Sequence, residues 1–288
     1  MYDDRAVTID WLSYTLPWKS PRIKRLSPEV SIELVAERAS GMIERWYAER
    51  ALHGYRWQVV SVEKPGLRVM ISPRSHDMGV HVQFAGSALA GENVKDRLEY
   101  ALDSGGRVTR IDLAVDVAQD WNIPELYEIA RSGGCKTRTK KFSLITSTEG
   151  TTFYAGSRTS EKFLRVYDKG AQTKSSRAWT RIELECKGDF AQGISNYIRT
   201  EGLSSVPQVI RGFLDFTDFP AWADVMDSNI ERVSLPKVER YSNTRSWLLE
   251  QVAPALAKYA EQHPDFYDQF IQRVNMLLPS QGTDFSAE

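Results

Sequence analysis

Residues 151–187 read TTFYAGSRTSEKFLRVYDKGAQTKSSRAWTRIELECK, and the stretch alternates residue types as strands do. In Phe163–Lys169, a period of two puts Phe163, Arg165, Tyr167 and Lys169 on one face and Leu164, Val166 and Asp168 on the other. Arg181, Glu183, Glu185 and Lys187 share a face in the same way, opposite Ile182, Leu184 and Cys186. A tyrosine between two cations, beside a strand edged with carboxylates, suits chemistry on a phosphodiester. Arg165 and Lys169 would neutralise a phosphate and favour phenolate at Tyr167. Tyr154, one strand earlier, is the second candidate. The plain alternative is that a mid-strand tyrosine simply packs.

Outward from that stretch, 108–117, VTRIDLAVDV, reads as a further strand. Ile111, Leu113, Val115 and Val117 form its buried face; Arg110, Asp112, Ala114 and Asp116 form the other. Strands are depleted in Asp, so two on one face invite a chemical reading. Asp112 and Asp116 suit a hard cation such as Mg²⁺ or Mn²⁺, with Glu183 or Glu185 completing the set. The competing reading is a pair of ion pairs, Arg110 with a glutamate and Arg181 with an aspartate.

The order of elements occurs twice. Residues 6–16 read as a strand with Thr8, Asp10, Leu12 and Tyr14 on one face. Ser27-Pro28-Glu29 opens a helix running to about Leu52, with Val30, Leu34, Val35, Ile43, Trp46 and Tyr47 as its stripe. Strands follow at 57–62, 67–72 and 79–84, then a helix at 93–102. From 108 the pattern restarts: strand, helix at 123–131, and strands at 140–146, 152–156, 163–167 and 180–187. The fold class expected is α+β, in two related halves, each an antiparallel sheet with helices packed on one face. Helices follow at 190–200 and 206–213, a turn at 215–219, and a linker at 228–242. A helical hairpin comes last, its first helix at 242–262 kinked by Pro254 and its second ending at Leu278, before a polar tail from Pro279. The boundaries expected are 1–106, 107–227 (carrying the chemistry) and 228–288.

The whole chain carries 37 Lys and Arg against 38 Asp and Glu, a net charge of −1. Its distribution is uneven. From Arg131 to Arg181 there are 12 Lys and Arg against three acids, a net of +9, leaving −10 for the remainder. That asymmetry points to one basic surface, the electrostatic footprint of a nucleic-acid binder, the alternative being a solvated charged face with acidic neighbours nearby in space. Lys136, Arg138 and Lys140 alternate onto one strand face and, with Lys141, Arg158, Lys162, Arg110 and Arg181, are the candidate DNA contacts. No apolar run approaches the length of a membrane span, and the two cysteines, Cys135 and Cys186, form no CxxC pair. A cytoplasmic protein without membrane partners is expected. There is no Walker A, GxGxxG, HExxH or GxSxG pattern.

Taken in series, these motifs resemble the Rep_trans family of replication initiation factors. The matching pieces are Ile9-Asp10-Trp11-Leu12, His81-Val-Gln-Phe-Ala-Gly86, Arg110-Ile-Asp112-Leu-Ala-Val-Asp116, Phe153-Tyr-Ala-Gly-Ser-Arg158, Phe163-Leu-Arg-Val-Tyr-Asp-Lys169, Arg181-Ile-Glu183-Leu-Glu185 and Trp247-Leu-Leu. The resemblance implies a rolling-circle initiator that nicks one strand at an origin, presented single-stranded or as a hairpin. Tyr167 would attack and stay joined to the 5′ phosphate, with Arg165 and Lys169 beside it. Asp112, Asp116 and Glu183 would bind Mg²⁺ or Mn²⁺. A homodimer and a host helicase are implied partners, and the short chain suits a phage or compact plasmid initiator better than a conjugative relaxase. The common tyrosine nicking enzymes use a His-hydrophobic-His metal pair, which is absent here; His81-Val82-Gln83 matches only a His-hydrophobic-Gln variant and reads as ordinary alternation. The rivals are a non-catalytic DNA-binding regulator and, more distantly, a structural protein that binds no nucleic acid.

Overall fold

A computed structural model describes residues 5–26, 29–72, 78–148, 150–227, 231, 233 and 252–277. The chain divides into two units, Met1–Val238 and Glu239–Glu288. In the first, the elements run β1 (Arg5–Leu16), α1 (Ile32–Ser40), β2 (Trp46–Glu49), β3 (Trp57–Ser61), β4 (Leu67–Ile71), β5 (Val80–Ala85), α2 (Gly86–Leu89) and α3 (Val94–Asp103). They continue with β6 (Arg107–Val117), α4 (Ile123–Ser132), β7 (Cys135–Thr137), β8 (Phe142–Ser147), β9 (Gly150–Gly156), β10 (Lys162–Asp168), α5 (Lys169–Gln172) and β11 (Thr180–Lys187). Last come α6 (Gly188–Glu201), α7 (Val206–Phe213), β12 (Leu214–Phe216) and α8 (Pro220–Val225).

The fold is α+β, and the strands of both halves join one ten-stranded antiparallel sheet, in the order β2-β3-β4-β5-β1-β6-β11-β10-β9-β8. Read outward from the β1·β6 seam, each side shows the first strand of its half, then the last, then the others in reverse. Trp11 and Asp112 stand opposite each other at that seam. Position 106 therefore falls between the two central strands of one sheet.

Periodicity explains which face is covered. Ile111, Leu113, Val115, Ile182, Leu184, Leu164, Val166 and Phe153 are fully buried together with residues of α4, α6 and α7. A slip of one residue in any of these strands would put charged side chains under the helices, so burial fixes the register. The opposite face is left to carry Arg110, Asp112, Glu183, Arg165 and Tyr167.

Two local expectations change. The first helix does not reach Leu52. Ser31 caps α1, accepting from the Leu34 amide at 3.3 Å, and Gly41 closes it in the left-handed region at φ 70, its N–H donating to Glu37 O at 2.8 Å. A Cβ at Gly41 would lie 2.6 Å from the Tyr100 ring, so backbone and packing both require glycine. Trp46 and Tyr47 instead pair with Ser61 and Val60 as an edge strand, and Ile43 is 91% exposed. Ser27 and Pro28 lie outside the described residues. Secondly, the turn expected at 215–219 begins as strand β12, which pairs with β7 through Leu214↔Thr137 and Phe216↔Cys135. The alternation at 136–140 is thus strand only as far as Thr137.

In the second unit, α9 (Ala253–Gln262) and α10 (Pro264–Leu277) form a helical hairpin. Pro254 sits in the first turn of α9, and the expected kink there involves preceding residues outside the described ones. Tyr259 packs on His263 and Phe266, with ring centroids 4.4 and 4.7 Å apart. The preceding part of the expected helix (242–251), most of the linker and the tail lie outside the described residues.

Candidate active site

On the open face of the sheet, β1, β6, β11, β10 and β9 line a cleft of about 300 Å³. Its lining includes Asp10, Trp11, Arg110, Asp112, Tyr154, Arg165, Tyr167, Lys169 and Glu183. Cross-strand register brings them together: Arg165 stands opposite Glu183 and Tyr167 opposite Arg181, while Glu185 faces Asp112 and Arg181 faces Asp116. Sequence-distant residues thus become neighbours at pleat spacing.

At the floor, the Tyr167 hydroxyl donates to Glu183 Oε2 at 3.1 Å. Tyr167 is 8% exposed and Glu183 1%. Burial, followed by the Glu183 charge, pushes the phenol well above its ordinary pKa, against the opposing pull of Arg181 and Arg165. Arg165 pulls toward phenolate as expected, but burial and Glu183 outweigh it. The phenol is held protonated, its hydroxyl bonded to Glu183. Arg165 pairs with Glu183 and approaches Asp112 at 3.6 Å. Its buried Nε has no hydrogen-bond partner among the described residues. Lys169 lies 5.7 Å from the Tyr167 ring centroid and donates to Gln172 Oε1 at 2.9 Å. Burial, then the neighbouring Arg181 charge, lowers its ammonium pKa. Asp168 faces away and caps α5 by accepting from the Ala171 amide at 2.8 Å.

The three carboxylates expected to bind metal do not converge as a set. Asp116 is occupied on both oxygens by Arg181, at 2.6 and 2.7 Å, and also accepts from Trp179 Nε1 at 2.8 Å. Asp112 is held by Arg110 through contacts of 2.9 and 2.6 Å. Burial, with the charges of Glu183 and Glu185 adding to it and Arg110 opposing, pushes its carboxyl up to about 7. Among the described residues no group of three metal-capable side chains is arranged to hold an ion. Asp112 and Glu183 do share the cleft, and both offer the hard oxygen donors that Mg²⁺ or Mn²⁺ prefers.

The expected DNA contacts separate in space. Arg110 lines the cleft, its guanidinium 4.2 Å over the Trp11 ring. Arg181 is 6% exposed and committed to Asp116 and Asp10, so it braces the site from within rather than offering a surface cation. Lys136, Arg138, Lys140, Lys141 and Arg158 are exposed but do not line the cleft. Lys162 lies over Phe190 of α6, on the helix-covered side.

Strict alternation missed Asp10 and Trp11. The β1·β6 register shifts between Ile9 and Trp11, a β-bulge that turns both Asp10 and Trp11 toward the cleft while Ile9, Leu12 and Tyr14 stay buried. Trp179 was missed because it precedes its strand and contributes only through the loop. His81 and Gln83 occupy in the first half the register positions that Arg181 and Glu183 occupy in the second: Arg68 faces Gln83 as Arg165 faces Glu183, and Met70 faces His81 where Tyr167 faces Arg181. The His81 ring shares a hydrogen bond with Thr15 Oγ1 at 2.9 Å, and its counterpart face carries no tyrosine or carboxylate at these positions.

Among the described residues no helix is long and apolar enough to cross a membrane. The chain resembles a solved rolling circle replication initiator protein from Geobacillus stearothermophilus, with a TM-score of 0.65 and 22% identity, covering 81% of this chain and 100% of that one. It is 26% identical over 250 residues to "Putative DNA relaxase NicK" of Bacillus subtilis (strain 168), covering 72% of this chain and 71% of that protein. The family profile described as replication initiation factor, Rep_trans, matches residues 106–274, which take in the second half of the sheet and every catalytic candidate in it. This chain belongs to the Rep_trans replication initiation factor family.

Proposed function

We propose that the protein is a rolling-circle initiator that nicks one DNA strand through Tyr167 and can rejoin it. The observation that carries this reading is the Tyr167 hydroxyl donating to buried Glu183 in a cleft that Arg110, Arg165 and Lys169 also line. Glu183 takes the phenolic proton as the phenolate oxygen bonds to phosphorus. The P–O3′ bond breaks, leaving a 5′-phosphotyrosyl link and a 3′ oxygen. Lys169 stands beside the tyrosine as the proton source for that oxygen, since burial weakens its hold on the proton. Arg165 and Arg110 neutralise the non-bridging oxygens. The phosphotyrosyl link conserves the bond energy, so rejoining is the same step reversed.

Mg²⁺ or Mn²⁺ would draw on Asp112 and Glu183, and would add positive charge at the scissile phosphate. The reading also carries a cytoplasmic site of action at an origin, with a helicase and a second copy of the chain as partners.

The test incubates the protein with an end-labelled hairpin or single-stranded origin oligonucleotide and a divalent ion, then separates products under denaturing conditions. A covalent band that protease removes is expected, lost on Tyr167→Phe and reduced by excess EDTA. DNA binding without any adduct would instead make the protein a regulator on this scaffold.

A further inference from the structure

The ten-stranded sheet ends in two edges of unlike character. At one, β2 is four residues long, ends in Glu49 and is flanked by Arg45 and Arg50. Short length and charge keep such an edge from pairing with another chain. At the other, β8 runs for six residues, FSLITS, with no charge and no proline. Among the described residues no strand pairs with its outer side. The Gly156 amide donates to Lys141 O at 2.9 Å, one step ahead of the first β8 pair, Phe142↔Ala155. Bonded and non-bonded pairs alternate along an antiparallel ladder, so Ser143 and Ile145 bond inward to β9 while Leu144 and Thr146 turn their N–H and C=O groups outward. Ile145, between them, is 55% exposed. It stands opposite Thr152, and Thr152 stands opposite Tyr167, so Ile145 shares a row and a sheet face with the nucleophile.

We propose that β8 is the dimer interface: two copies of the chain pair antiparallel, edge to edge, about a two-fold axis that is normal to the sheet and passes between their Ile145 residues. The two Ile145 side chains then meet in a non-bonded pair, where Cα atoms approach to about 4.5 Å, and Leu144 of each chain exchanges backbone hydrogen bonds with Thr146 of the other. The strand's composition favours a copy of itself. In a two-fold pairing each residue meets itself or a close neighbour, so a charge on the strand would be brought up against its own kind, and β8 carries none. An axis normal to the sheet keeps the helices of both copies on one side and both clefts on the other. Tyr167 and its copy then lie in one row, five inter-strand steps or about 24 Å apart. The charged β2 edge leaves the assembly closed at two chains. The choice of a second copy as partner rests on the reading above; the free edge and its register rest on the sheet.

The experiment is sedimentation equilibrium of the full chain, without DNA, over a range of concentrations, and a dimer is expected. Ile145→Lys and Ile145→Glu should each weaken dimerisation about tenfold or more, by removing the apolar pair and opposing like charges across the axis. Mixing the two variants should restore association, which neither a folding defect nor an interface elsewhere would produce. Thr146→Pro should match the charged variants with its unfolding midpoint held, because the N–H it removes points out of the β8·β9 ladder. A parent chain that stays monomeric at every concentration, dimers as tight in both charged variants as in the parent, or no rescue on mixing would overturn the proposal. A monomeric parent that forms the covalent adduct would overturn it and leave nicking intact, whereas a dimer that forms no adduct would sink the nicking reading and leave this interface standing.

Discussion

Replacing Glu183 by Gln isolates the proton acceptor. The variant keeps the shape and can still accept from the Tyr167 hydroxyl, now 3.1 Å from Oε2, but it cannot take the proton. Loss of a positioned general base costs about 10²- to 10⁴-fold in rate. A structural penalty accompanies it, because Arg165 loses its closest carboxylate. Truncating a buried ion pair costs about 3–5 kcal/mol. Arg165 still has Asp112 at 3.6 Å and a side chain 23% exposed, so about 1–2 kcal/mol is the expected destabilisation. The assay is single-turnover formation of the covalent adduct between about pH 6 and 9, with urea unfolding alongside. The variant's rate should climb roughly tenfold per pH unit, because the phenol must then lose its proton to solution and burial holds that proton firmly. Rates within threefold of the parent, with the same pH dependence, would refute Glu183 as the acceptor. Full recovery on raising the divalent ion would make it a metal ligand only.

Arg165→Lys keeps the charge but removes the buried Nε–H and the planar fork, and adduct formation should slow about 10²-fold with little change in unfolding midpoint. His81 is held neutral, burial and then His53 lowering its pKa to about 4 from 6.5. The unfolded chain therefore binds the proton first, and this group removes about 2 kcal/mol of stability as pH falls from 7 to 5. His81→Gln should flatten that limb in urea titrations. Gly41→Ala forces a Cβ into the Tyr100 ring at φ 70 and should lower stability by about 1–3 kcal/mol, read as a drop in Tm.

Much of this was legible in the sequence because period two is a strong signal when one sheet face is buried. The face assignments of Arg165, Tyr167, Asp112 and Glu183 follow from apolar neighbours such as Leu164, Ile182 and Leu113, which have only one place to go. Strand order was not legible, since nothing local in 6–16 or 108–117 says that these two strands pair at the seam. Asp10 and Trp11 escaped because a bulge breaks parity without a sequence mark of its own. Asp112, Asp116 and Glu183 do not converge as a set among the described residues for a related reason. Asp112 and Asp116 share a face, but Asp112 meets Arg110 two residues back on its own strand and Asp116 meets Arg181 across the ladder. Ion pairing and metal binding use the same residue alternation, and only the contacts made in the fold separate them. The apolar stripe continues past Gly41, but the glycine stop ends the first helix there.

The central claim is that Tyr167 is the nucleophile, and peptide mapping of the adduct tests it most directly. After reaction with an origin oligonucleotide, the protein is digested with nuclease and trypsin and the nucleotide-bearing peptide is sequenced by mass spectrometry. Cleavage after Arg165 and Lys169 should place the 5′-linked nucleotide on Val166–Lys169, at Tyr167. A nucleotide found on Phe142–Arg158, which contains Tyr154, would contradict the assignment.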